Sequence, residues 1–234
     1  MSINSREPTS RRGYLSQLEL EEFANITVTD TTEADDRISQ AEEMIDNYVG
    51  FQDQYFDEIV GYLASSASTT SHTLETKYQN IYDIDYFKGL EIEIIGGTNA
   101  GQRKKITAST KEGVITTDAF SSALSSSSYF RIYQVGKFPR KEDVYYNSEH
   151  TPAKYFKTIP DKVRRAVASQ VEFMISMGDA YFSGDSADKQ SESIGDYSYT
   201  KAQTGMASSL HSKMVAPKAR QLLHGIVNRK GQFC

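Results

Sequence analysis

The sequence predicts an α+β fold, in which a small helical bundle is interrupted by an inserted antiparallel β-barrel or sandwich module and carries an extended β-arm. Three observations predict it. Apolar residues recur at helical spacing towards both ends of the 234-residue chain, in Ile38, Ala41, Ile45 and Tyr48 and again in Val163, Val167, Val171 and Met174. Between these stripes, short alternating runs such as Leu90-Glu91-Ile92-Glu93-Ile94 are separated by Gly and Asp turns. Residues 191–200 (SESIGDYSYT) alternate small polar residues with Ile and Tyr, are broken once by Gly195, and have no evident partner strand beside them in sequence.

Each element has a local reason. Residues 1–14 are polar and Arg-rich, with Pro8 and Gly13, and read as an N-terminal arm that is poorly ordered unless docked. The helical domain begins at 15–57. Ser16-Gln17-Leu18-Glu19 is a capping box, with a hydroxyl for the first-turn amides and a carboxylate that reaches back. A short helix follows to about Ala24, and a second runs from Thr32 to Val49, with an acidic face opposite the apolar one and Gly50 to close it. At 58–136 the character changes to strands. Leu90 to Ile94, Arg103 to Thr107, Val114 to Thr117 and Tyr129 to Tyr133 are the candidates, with Ser-rich loops at 65–71 and 121–128.

The helical pattern resumes within 137–225. Ile159-Pro160-Asp161 opens a long helix, with Pro160 at its first position. After it come a loop near Gly184, the β-arm at 191–200, and a short helix that starts at Pro217 and stops near Gly225. Residues 226–234 form a polar tail. An unpaired arm on a helical module needs backbone partners, and a neighbouring subunit is an economical source.

Composition narrows the class. At 38% hydrophobic content, modules with arms are favoured over one large core. No apolar run approaches membrane-spanning length, and the N-terminus has no signal-peptide core, so synthesis in a cytoplasm is expected. Cys234 is the lone cysteine, which leaves no intrachain disulfide or cysteine zinc site. The net charge of −5 hides a polarity: residues 15–63 carry thirteen acids and one base, and residues 201–234 carry six bases and no acid. Separated charge of this kind suits head-to-tail packing. Fifteen Tyr and no Trp suggest either protein contact or phenols bridging core and solvent.

Little here reads as catalytic chemistry, and no cofactor is expected. The stretch Gly96 to Arg103 has the glycine spacing of a phosphate loop, but Gln102-Arg103 replaces the Lys-Ser/Thr pair and the flanks read strand–strand; a hairpin turn is expected. The four histidines lack zinc-site spacing and read as surface residues. Arg103-Lys104-Lys105 beside Tyr129, Phe130 and Tyr133 is the one candidate for a single-stranded nucleic-acid surface.

The order of helix, SESIGDYSY arm, short helix and basic tail resembles that of the head–tail connector (adaptor) proteins of tailed bacteriophages. The likeness covers about residues 14–52, through Tyr14-Leu15-Ser16-Gln17-Leu18-Glu19 and Ile38-Ser39-Gln40-Ala41-Glu42-Glu43-Met44-Ile45, and resumes from Ile159-Pro160 through the arm to Leu222-Leu223. The inserted β-module is a departure, absent from many members. The resemblance implies a helical bundle of connector type and a non-enzymatic structural protein of the viral neck. Such a protein forms a ring, typically dodecameric, below the portal protein, extends the channel through which DNA passes, and presents a surface to stopper or tail proteins. It also implies that Ile226, Arg229, Lys230, Gln232 and Phe233 of the tail dock on the portal, and that Ile194, Gly195, Tyr197 and Tyr199 of the arm reach an adjacent subunit. The alternatives are a phage stopper or tail-completion protein, or a nucleic-acid- or carbohydrate-binding β-module.

Overall fold

The computed structural model describes residues 8–50, 54–66, 68–177, 191–194, 197–200 and 215–227. It is an α+β protein with two compact units. One comprises residues 1–10, 14–50 and 161–234, and the other comprises residues 11–13 and 51–160. The β-rich unit therefore extends to Pro160, beyond the boundary at 136 expected from the strand pattern.

In the helical unit, α1 (Gln17–Ala24) starts at the predicted capping box: Ser16 accepts from the Glu19 amide, and the Glu19 carboxylate accepts from the Ser16 amide. Helix α2 (Thr31–Val49) is capped by Asp30, which accepts from the amides of Thr32 and Glu33, and ends at Gly50 with φ 74°. Helix α3 (Asp161–Met177) begins just after Pro160, so the proline precedes the first turn and does not occupy it. Helix α4 (Pro217–Leu223) packs on α3, which also meets α1 and α2. Its core joins Leu20, Ile38, Ala41 and Ile45 to Val163, Val167, Val171 and Met174, with Ala219 and Leu223 from α4. Val49 is buried where Tyr48 is only partly so.

The other face of α2 is less solvated than its charges suggest, because Glu42 and Asp46 are buried. Glu42 accepts from the Ser10 hydroxyl (2.9 Å) and the amides of Tyr14 (2.8 Å) and Leu15 (3.2 Å), and Asp46 accepts from the Tyr14 phenol (2.7 Å). These bonds fix Ser10, Tyr14 and Leu15 against α2. Of the N-terminal arm expected up to residue 14, Ser10 and Tyr14 thus belong to the helical unit, and residues 11–13 belong to the β-rich unit.

The β-rich unit is built on a closed antiparallel barrel of six strands: β1 (Ile59–Ser66), β2 (Ser71–Leu74), β3 (Glu91–Gly96), β4 (Arg103–Ser109), β5 (Val114–Thr117) and β6 (Tyr129–Tyr133). Their order around the barrel is β1-β2-β5-β4-β3-β6, and β6 pairs with β1 to close it. Closure removes the free edges of an open sheet. Leu63, Leu74, Ile92, Ile94, Ile106, Ile115, Phe130 and Ile132 fill the interior, with Phe87, Leu90 and Phe120 in the same cluster. Of the Ser-rich stretch at 65–71, Ser65 and Ser66 end β1 and Ser71 begins β2, and residues 68–70 lie in the expected loop between them. The glycine-rich stretch is the β3–β4 turn, in which Gly97 has φ 85° and an added Cβ would meet the Ser127 carbonyl oxygen at 3.0 Å.

Beyond the barrel, β7 (Val144–Asn147) and β8 (Lys154–Lys157) form a two-stranded ribbon, and β9 (Ser191–Ile194) and β10 (Tyr197–Thr200) form a second.

Candidate interaction surfaces

The predicted site residues fall in two places. Of the tail, Ile226 lies in the turn after α4, where its amide donates to Leu223 O (2.8 Å); Arg229, Lys230, Gln232 and Phe233 lie outside the described residues. Of the arm, Ile194 and Tyr197 face each other across the ladder, Tyr199 pairs with Glu192, and Gly195 lies outside the described residues. The arm therefore has a partner: its two halves pair with one another, which corrects the expectation of a lone strand. What the hairpin leaves open is its outer edges. In a hairpin whose closing residues are Ile194 and Tyr197, that pair exchanges the inward bonds, and the next pair, Ser193 and Ser198, points its amides and carbonyls outward. Neither strand has another β partner among the described residues.

In the basic stretch on β4, Arg103 is engaged by a carboxylate of the neighbouring strand. Glu93 on β3 accepts from Arg131 (2.6 Å and 2.7 Å) and Arg103 (3.2 Å). Burial alone would raise its pKa, but the two guanidiniums override this and hold the carboxyl below the usual range. Glu91 is gripped by both Nε and Nη2 of Arg11 (2.5 and 2.6 Å) and by the Tyr133 phenol (2.7 Å). Phe130 points into the barrel. Of the aromatic partners considered for nucleic acid, Tyr129 and Tyr133 lie on the outer side of β6, Tyr129 with its ring 4.8 Å from that of Tyr62 and Tyr133 beneath the Arg131 guanidinium at 4.9 Å. His72, expected at the surface, is fully buried on β2, with its ring edge-on to Phe120 and 3.3 Å from the Thr117 hydroxyl. Desolvation lowers its pKa to about 4, so it is neutral.

The β7–β8 ribbon is a surface that sequence reasoning missed. Its register places Tyr145 opposite Phe156 and Tyr146 opposite Tyr155. Alternation then gives two unlike faces. The outward face carries Tyr145 and Phe156, 63% and 38% exposed, with the Lys154 ammonium over the Phe156 ring and His150 edge-on to it. The other face carries Tyr155, edge-on to Tyr86 at 5.0 Å, and Lys157, with Tyr146 beside Tyr155 still 42% exposed. The Lys157 Nζ donates to the carbonyls of Asp85 (3.1 Å), Tyr86 (2.5 Å) and Lys88 (2.8 Å), and lies 4.9 Å from the Tyr55 ring centre and 5.9 Å from that of Tyr86. Burial pushes its pKa down to about 7, against the pull of Asp85. A depressed lysine is a familiar nucleophile. Here, however, every direction an amine has for a hydrogen or a lone pair meets a carbonyl oxygen, so Lys157 is a fastening. The signal for this ribbon was present in VYYN and KYFK, two alternating runs around Ser148-Glu149-His150-Thr151-Pro152.

Among the described residues, no group of three or more His, Cys, Asp or Glu is placed to hold a metal ion, and no helix is long and apolar enough to cross a membrane. No family model matches the chain, and no curated protein matches its sequence.

Proposed function

We propose that this chain is a head–tail adaptor of a tailed bacteriophage: a structural protein of the virion neck that assembles as a ring below the portal, extends the DNA channel and meets stopper or tail proteins on its far side. The observation that carries this reading is the hairpin at 191–200. It follows the helical core in sequence, its two strands satisfy each other, and its outer edges offer backbone groups to another chain. A subunit that adds a strand to its neighbour, repeated by rotation, closes a ring. The separation of an acidic residue set at 15–63 from a basic one at 201–234 supports the same head-to-tail contact. The tail, with Arg229, Lys230 and Phe233, supplies charge and one aromatic anchor for the portal.

The test is imaging of the purified chain mixed with portal rings. Wild-type protein builds a collar on the portal. Ser198→Pro removes an amide that points away from the hairpin's own ladder, so the variant keeps its helical signal and builds no collar. Normal collars from that variant overturn the intersubunit role of the arm, and absence of any collar from wild-type protein overturns the adaptor reading. A stopper or tail-completion role is the second reading, favoured by the closed barrel that makes up much of the 51–160 unit. Binding to a preassembled adaptor ring, without binding to the portal alone, would select it.

A further inference from the structure

We propose that the turn at residues 85–88, together with Tyr55 and Tyr86, is a receptor for a primary ammonium group, and that Lys157 is its tethered ligand, strapping the β7–β8 ribbon to the barrel. The inference is independent of the adaptor reading.

Three features of the turn make it a receptor. First, its carbonyls converge: those of Asp85, Tyr86 and Lys88 reach one nitrogen, and their number equals the N–H count of an ammonium. Second, the turn is held from behind. The Asp85 amide donates to Ser109 O (2.9 Å) and the Gly89 amide to Ile106 O (2.8 Å), both on β4, while Asp85 and Gly89 adopt φ 60° and 86°. These bonds hold the turn's backbone to the barrel wall, so the acceptors are set in place before any cation arrives. Third, the rings of Tyr55 and Tyr86 line the same site and present their negative faces to a cation. Both phenols are pushed up by burial, Tyr86 to about 12, so they remain neutral ring donors at physiological pH.

The chemistry is selective. Three fixed carbonyls match a tetrahedral ammonium, whereas a planar guanidinium presents its donors in one plane. A quaternary ammonium has charge for the rings and no hydrogen for the carbonyls. The ribbon depends on this strap because its own ladder is only four pairs long and is supplemented by one isolated bridge, Ile84 to Lys154.

The test uses the full chain and hydrogen exchange at pH 6, below the lowered Lys157 pKa of about 7 so that the amine is protonated, with the amides of β3 and β6 as internal reference. In Lys157→Met the stem is kept and the ammonium lost. Amides of 144–147 and 154–157 should then exchange at least about tenfold faster, as expected for a lost charge-assisted contact, while those of β3 and β6 are unchanged. In Lys157→Ala, ethylammonium should restore the protection, and tetramethylammonium at equal ionic strength should not. Unchanged ribbon exchange in Lys157→Met overturns the strap. Equal rescue by both cations, or rescue by neither, overturns the receptor.

Discussion

The two units satisfy their buried carboxylates in different ways. The barrel carries Glu91 and Glu93 on the outer side of β3, both buried beneath more exposed guanidiniums: Arg11, 47% exposed, pairs with Glu91, and Arg103 and Arg131 pair with Glu93. The helical unit encloses Glu42 completely and surrounds it with a hydroxyl and two main-chain amides. The difference teaches what each carboxylate does. Pairs on a barrel wall decorate a structure that the apolar interior already specifies. The enclosed carboxylate specifies structure itself, because the amides of Tyr14 and Leu15 lie over α2 only while Glu42 receives them.

Four experiments sharpen or break that contrast. The barrel's apolar interior should dominate everything else: Phe130→Ala should cost about 3–5 kcal/mol and release protection throughout the barrel, read by hydrogen exchange. Glu42→Ala should cost on the order of 3 kcal/mol, with lost protection at Tyr14 and Leu15 and an unchanged barrel; a loss under about 1 kcal/mol would break the comparison.

The third experiment is acidification. His72 has a folded-state pKa lowered from 6.5 to about 4, so between those values the unfolded chain takes up the proton first. Its contribution to barrel stability is full above pH 6.5 and is lost as pH falls towards 4. Replacement by Asn should flatten the stability profile in that window, measured by urea denaturation at a series of pH values. The smallest effect is expected from Arg11→Ala. Glu91 keeps its bond from Tyr133, and because Arg11 is half exposed, water can reach the carboxylate that it leaves, so the loss is about 1 kcal/mol. That cost should shrink further at 1 M salt.

How far the sequence was legible depends on whether a residue's surroundings are local. The caps at Ser16 and Asp30, the stripes of α2 and α3, and the β3–β4 turn all rest on neighbours within a few positions, and they can be read from the chain. β1 and β2 were hidden because their Ser and Thr residues resemble a linker, and only barrel closure, with Ile59 opposite Ile132, makes them strands. The burial of Glu42 and His72 was hidden for the same reason: a carboxylate on a helix and a histidine in a polar run read as solvated until distant segments enclose them. At the candidate sites, the alternation of the arm was visible, and Gly195-Asp196 between two alternating runs is itself a two-residue hairpin signal, so the pairing of the arm with itself was legible in the sequence and was overlooked. The aromatic ribbon at 144–157 was overlooked because its runs are four residues each.

Closure of the barrel through β1 and β6 also sets an order of events at the ribosome. The wall cannot be completed until Tyr133 has emerged, and it needs nothing after that from the helical unit. The bundle must wait for α3 and α4, whose last residue is Leu223. At ordinary elongation rates that interval is roughly 5–20 s, far longer than the closing of a small domain. The nascent chain therefore carries a finished barrel while the apolar stripe of α2 still lacks its partners, and that stripe is where a chaperone would find the newborn protein.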